Sequence, residues 1–428
     1  MNPPPPVAFS TTDNVPASEL EQRILKLQQR LVQGGIDGAL VLQNTDLYYF
    51  AGTIQQAHLY VPAQGEALLL VKKSVHRAIS ESAVQQIVPM GSLKQLPDLI
   101  QQGGAPFPQK LGMELDVLPV NLYLKYKEVF ASCDIVDISH DIRLIRAVKS
   151  SFEIDRIRQA AQLADQVAAQ FTAELKPGTS EVELAGKMEA FARQLGHQGM
   201  VRMRLWGSEM FYGHLMAGAS AAVPSYLASP TGGEALSPAF AQGAGFHKIA
   251  PLEPILFDYV FAYKGYLADH TRIFSIGPLS KDLTAAHQAM IDLQEFLAAH
   301  MIPGVAAGDI YEMAIEKAYE AGYRDFFMGA EKERIRFVGH GIGLELDEYP
   351  FLAQGQRLKL QKNMVIALEP KLVFPGKGVV GIENTHVVRE NGLERLTNYQ
   401  DEITKKNSIV LRTDSWLVSP SARIFSAL

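Results

Sequence analysis

The stretch PILFDYVFAYKGYLADHTRIF, residues 254–274, decides the fold of the second half of the chain. Two runs rich in aromatic and branched residues flank Lys264-Gly265, a pair suited to a two-residue hairpin turn. With that pair at the turn, Tyr263 stands opposite Tyr266, Asp258 opposite Thr271 and Val260 opposite Asp269. Strand side chains alternate faces, so Asp258 and Asp269 share a face as diagonal neighbours, with Cβ atoms within about 8 Å. Two carboxylates on an otherwise apolar hairpin repel each other unless a cation or a proton lies between them.

Two further acids sit in sequence that should be buried. Glu369 ends the apolar run of NMVIALEP (363–370), and Glu383 interrupts VVGIENTHVV (379–388). A buried acid is costly unless it is paired or bound to a metal. FVGHGIGLELDEYP (337–350) adds a histidine, His340, between two glycines. One imidazole with four carboxylates is a hard, mostly oxygen donor set, suited to two divalent ions such as Mn, Co, Zn or Fe. The sole cysteine, Cys133, lies elsewhere and excludes a thiolate site. His270 and His386 fall on the opposite strand faces from Asp269 and Glu383, and His287 and His300 belong to a helix remote in sequence.

Working outward, the hairpin belongs to an α+β region over residues 149–400. Ser150 and Glu153 form a possible capping box for a helix whose apolar face is Ile154, Ile157, Val167 and Phe171. Pro177-Gly178 breaks it, and Ser180 with Glu183 can cap the next helix. Residues 281–302 and 308–322 read as two more helices, and the remainder as antiparallel strands. Residues 17–148 read differently. A helix over 17–33 with Leu20, Ile24, Leu27 and Leu31 on one face precedes the strand-length runs GALVLQ, EALLLVK, KLGMEL and CDIVDIS. Helical stretches between them argue for an α/β domain. Residues 1–16, with MNPPPP, read as a disordered leader, and 401–428 as a C-terminal extension without clear periodicity.

Length and composition fit this division. The chain has 428 residues, too many for one ordinary domain, with 47% hydrophobic and 20% charged residues. A net charge of −6 with no long basic run gives no footprint for nucleic acid, and no stretch approaches the roughly 20 apolar residues that span a bilayer. One cysteine fits a reducing compartment. The expectation is a soluble, cytoplasmic protein.

These motifs, in this order, resemble the creatinase/aminopeptidase P/prolidase family, the pita-bread metallopeptidases. IRLIRAVKSSFEIDRIRQA looks like the junction between that family's creatinase-like N-terminal domain and its catalytic domain. FDYV…GYLADHTR looks like its paired-aspartate hairpin, GHGIGLE like its histidine segment, and ALEP and GIEN like its two glutamate strands. The resemblance implies an α+β pita-bread catalytic domain preceded by an α/β creatinase-like domain. It implies a dinuclear site at Asp258, Asp269, His340, Glu369 and Glu383, with Asp269 and Glu383 bridging. It further implies hydrolysis of the bond before proline in short peptides by a metal-bridging hydroxide, with Glu369 carrying the proton to the leaving nitrogen. A homodimer is a family-based expectation.

The sequence departs from that pattern twice. The family's second histidine, seven residues after the metal histidine, is Asp347 here, and the histidine expected upstream of the first aspartate is missing from ALSPAFAQ (235–242). His247 and His214 are candidate replacements. RMRLWGSEMFYGHL (202–215) offers Trp206, Tyr212 and His214 as a possible substrate pocket. Two other functions stay open. One is a metal-dependent lyase or hydrolase of a small molecule, with Asp347 as the base; the other is a non-catalytic peptide-binding module.

Overall fold

The computed structural model describes residues 13–330 and 332–407. Residues 1–12 of the expected leader and 408–428 of the expected extension lie outside them. Val15, just before the first helix, is 2% exposed within the core, and Asp13 pairs with Lys264 at 2.6 Å.

The first region is built on one six-stranded mixed sheet. In spatial order its strands are Gln86–Pro89, Leu68–Val71, Ala57–Pro62, Gly38–Val41, Lys110–Met113 and Asp134–Asp137. The helix Ala17–Gly34 lies on one face and buries Leu20, Leu27 and Leu31. Gly35, at φ 57°, closes it in the left-handed conformation that glycine adopts cheaply. The helix Ser139–Ala147 leads out of this region and carries Arg146, which reappears below.

Two antiparallel layers form the heart of the second region. One contains Gly213–Ala217, Ile255–Tyr263 and Tyr266–Ile276, with Thr404–Lys406 added in parallel at the edge. The hairpin register follows the two-residue turn: Tyr263 pairs with Tyr266, Asp258 with Thr271 and Val260 with Asp269. Lys264 and Gly265 have φ of 50° and 90°, the paired positive values that such a turn requires. The other layer orders Glu348–Ala353, Phe337–Gly341, Val365–Leu368, Asn384–Arg389 and Gly392–Arg395. Thr271 and Glu383 bridge the two layers through reciprocal backbone hydrogen bonds.

Helices cover these layers. Ser151–Glu174 begins with the capping box between Ser150 and Glu153 and lays Ile157, Val167 and Phe171 on the core. Glu181–Gln194 starts at Ser180, but the Ser180 side chain makes no capping bond; Glu183 instead pairs with Lys187 at 2.9 Å. Lys281–His300 and Ala307–Glu320 pack on the other side. No described helix is long and apolar enough to cross a membrane.

Candidate metal centre and its cavity

Strand alternation and register deliver the carboxylates to one point. Asp258 and Asp269 project from the same face of the hairpin. Glu369 follows the strand Val365–Leu368, and its N–H donates to the Val338 carbonyl at 3.0 Å. Glu383 sits at the bridge with Thr271, whose hydroxyl donates to Glu383 Oε2 at 2.8 Å. His340 lies in Phe337–Gly341, opposite Ala367. The small residues around it are a steric requirement, because a Cβ on Gly341 would stand 2.1 Å from the Tyr349 carbonyl oxygen.

The His340 ring is oriented by the backbone. Its Nδ1 lies 3.0 Å from both the Gly341 and Leu346 carbonyl oxygens, so Nδ1 carries the proton. Nε2 is then left with its lone pair, 3.8 Å from Glu369 Oε1. This is the arrangement that fixes an imidazole for metal binding through the other nitrogen. Donor atoms of Asp269, His340 and Glu383 lie within 4.8 Å of one another, and all three residues are buried. Asp269 Oδ1 finds no hydrogen-bond partner among the described residues. A buried carboxylate oxygen without a partner is costly, and a divalent ion between these three residues would satisfy it. The donor set therefore fits one ion here.

A lysine of the chain stands among the same acids. Lys371 Nζ lies 2.6 Å from Glu369 Oε2 and 3.1 Å from both Asp258 Oδ2 and Glu383 Oε2. Each glutamate thus turns one oxygen to the ammonium. Five expected ligands are assembled, with a lysine among them that the sequence reading did not single out. Its signal was available: Lys371 stands two residues after Glu369, where an extended chain puts both on one face.

The electrostatics follow from crowding. Burial, then Glu383 and Asp258, push the Asp269 carboxyl well above the usual carboxylate range. Burial also drives Glu383 up to about 7 despite Lys371, with Glu369 and Asp258 adding to the rise. Burial alone would depress His340, yet Asp347, Glu369 and Glu383 outweigh it and raise its pKa.

A cavity of about 240 Å³ opens beside these groups. Met203, Leu205, Met210 and Leu227 supply apolar wall, and Trp206, 98% exposed, stands at its rim. Asp347 and His214 also line it. Tyr212 is not among the lining residues; it stacks on His197 at 4.3 Å between ring centroids and on Tyr259 at 5.9 Å. Gly213, at φ 143°, interrupts the alternation that would have put Tyr212 on the face of His214. His247 is likewise outside the cavity, 3.2 Å from Glu253. A residue missed in the sequence is Gln242, the last of ALSPAFAQ. Its Nε2 donates to the Glu209 carbonyl at 2.8 Å, and its side chain also interacts with that of His214. Both residues line the cavity.

Comparisons with known proteins agree with this architecture. Residues 155–390 match the model of metallopeptidase family M24, and residues 23–148 match the creatinase/prolidase N-terminal domain. An uncharacterized peptidase, YqhT, of Bacillus subtilis is 27% identical over 384 residues, covering 89% of this chain and 99% of that one. The Xaa-Pro dipeptidase of Pyrococcus furiosus is 25% identical over 385 residues, covering 90% and 100% respectively. Among solved structures, an Xaa-Pro dipeptidase from Bacillus anthracis superposes with a TM-score of 0.77 at 24% identity, over 90% of this chain and 100% of that one. That likeness speaks for the fold. With the family model matching more than half of its length, the chain belongs to metallopeptidase family M24, behind a creatinase/prolidase N-terminal domain.

Proposed function

We propose that the protein is a metal-dependent peptidase that hydrolyses short peptides at the bond before proline. The observation that carries this reading is the buried cluster of Asp269, His340 and Glu383 donor atoms within 4.8 Å, with Asp269 Oδ1 unpartnered among the described residues, beside a small cavity. Asp258, Asp269, His340, Glu369 and Glu383 are the proposed ligand set for divalent metal. Metal bound there would act as a Lewis acid on the scissile carbonyl and make a water nucleophilic at neutral pH.

The chain's own groups do the rest. Glu369 Oε1 faces His340, and we assign Glu369 the water's proton, taken as the water oxygen bonds to the carbonyl carbon and given to the leaving nitrogen as the C–N bond then breaks. Apolar wall around Met203, Leu205 and Met210 suits a proline ring, and the open Trp206 rim suits a flanking side chain. His214 and Gln242, which also interact with each other, line the same cavity and are placed to meet the peptide's polar atoms. We also propose that the domains divide at residue 148, supported by a first sheet contained within 38–137.

The test is a panel of Xaa-Pro dipeptides and tripeptides, with Ala-Ala controls, on protein loaded with Mn, Co or Zn. Turnover of proline peptides that chelation removes is expected. A metal-loaded protein inert to every proline peptide would sink the proposal.

A second reading rests on Asp347, which lines the cavity 3.6 Å from His340 Nδ1. In that reading Asp347 takes a proton from a small non-peptide substrate. A parallel panel of small carboxylic acids and amides tests it.

A further inference from the structure

Lys371 is placed where an ordinary surface lysine never goes. It is 1% exposed, and its ammonium is enclosed by one oxygen each of Asp258, Glu369 and Glu383 at 2.6 to 3.1 Å. The backbone is held as well as the head. The Lys371 carbonyl accepts from the Met328 N–H at 2.9 Å, and the residue pairs with Gly381 across the strands Lys371–Phe374 and Gly378–Gly381. A Cβ on Gly381 would stand 2.9 Å from Lys371 Cγ and 2.7 Å from its Cα, so only glycine leaves the lysine its course.

The two glutamates divide the site. Glu369 gives Oε2 to Lys371 and keeps Oε1 on the His340 side. Glu383 Oε2 is committed to both Lys371 and the Thr271 hydroxyl, leaving its other oxygen for the cluster with Asp269 and His340. There are thus two cation positions back to back, and the chain fills one.

We propose that Lys371 is a built-in second cation. Its ammonium holds the position between Asp258, Glu369 and Glu383, and the protein binds one divalent ion, between Asp269, His340 and Glu383. This rests on the metal-centre reading above and sets the count at one ion, where the family resemblance implies two. The charge balance agrees: four carboxylates face one divalent ion and one ammonium, leaving a net charge of one negative unit in the centre. A second divalent ion at the lysine position would meet the ammonium at contact distance, and like charges that close repel strongly in a buried site.

The test is metal stoichiometry. Full-length protein is saturated with Mn²⁺ or Zn²⁺, freed of excess by equilibrium dialysis, and its metal measured by mass spectrometry. One ion per chain is expected for the wild type and two for Lys371→Ala. Two ions in the wild type overturn the proposal while leaving the metal-centre reading intact. No ion in the wild type overturns both. One ion in a folded Lys371→Ala shows that something other than the ammonium sets the count, and also overturns the proposal. Should that variant not fold, the electron paramagnetic resonance spectrum of the Mn²⁺-loaded wild type decides: isolated Mn²⁺ is expected, and an exchange-coupled pair refutes the lysine's role.

Discussion

Asp347 stands between two tasks, and its surroundings separate them. It is 3.6 Å from His340 Nδ1, but that nitrogen already has two carbonyl oxygens at 3.0 Å. The His340 tautomer therefore does not depend on Asp347. We expect Asp347→Asn to change metal affinity by less than about 10-fold, below the range for residues that orient a ligand. On the second reading, in which Asp347 takes the substrate's proton, its kcat/KM should fall by about 100-fold or more, the lower range for a group handling a proton. A competition titration with a chelator, run beside steady-state kinetics, reads both numbers; parallel loss in the two would place Asp347 behind His340 instead. Gln242 makes a different forecast. It lines the cavity beside His214 and makes no bond to the acid cluster, so Gln242→Ala should raise KM about 3- to 10-fold with kcat little changed, the worth of one neutral hydrogen bond. A drop in kcat alone would remove it from substrate binding.

At the scale of elements, the legible parts were those fixed by local rules. The hairpin 254–274 could be registered residue by residue because Lys264-Gly265 sets the pairing and a period of two sets the faces. The helix from Ser151 announced itself through Ser150 and Glu153. The strand Ala57–Pro62 did not, since His58 breaks its apolar run and full burial leaves no alternation to read. Lys371 was missed for another reason: its partners Asp258 and Glu383 lie in other strands, and only folding brings them together. The same holds for Arg146. Its guanidinium reaches Asp46 at 2.6 Å, Glu345 at 2.9 Å and Glu348 at 2.5 Å, tying the first region to the loop after His340. Glu348 Oε1 also accepts the N–H groups of Leu344 and Glu345, so this knot shapes the turn that presents the Leu346 carbonyl to His340. Arg146→Met leaves three buried acids short of a partner and should cost roughly 3–5 kcal/mol. Chemical denaturation measures that, and a metal titration of the folded variant should show weakened binding through the loosened loop. Unchanged stability would mean the acids find other partners.

For the whole molecule, pH acts on two sets of buried groups with opposite signs. Burial lowers His58 and His197 to about 4 and His386 to about 3. His197 also uses Nδ1 to accept the Gly199 N–H at 2.9 Å, a bond that a second proton would break. In the unfolded chain these rings take protons near pH 6.5. As pH falls below that value the unfolded state gains protons first, so each ring costs stability until its folded pKa is passed. Glu348 adds to the loss at lower pH. Burial would raise it, but Arg146 and Lys149 hold it at about 2, so its stabilisation is present above the unfolded value of about 4.3 and fades toward 2. Glu383 works the other way. Held at about 7 by burial and its acidic neighbours, it makes the metal-free fold more stable as it takes up a proton below pH 7. A bound ion needs Glu383 and His340 unprotonated, so acid removes the ion's contribution just as it relieves the metal-free protein. Metal should therefore raise the melting temperature most near pH 8, and the increment should shrink steadily toward pH 5. Thermal melts of metal-loaded and metal-free protein across that range give the difference directly. An increment independent of pH would show that the stabilising ion sits away from Glu383 and His340.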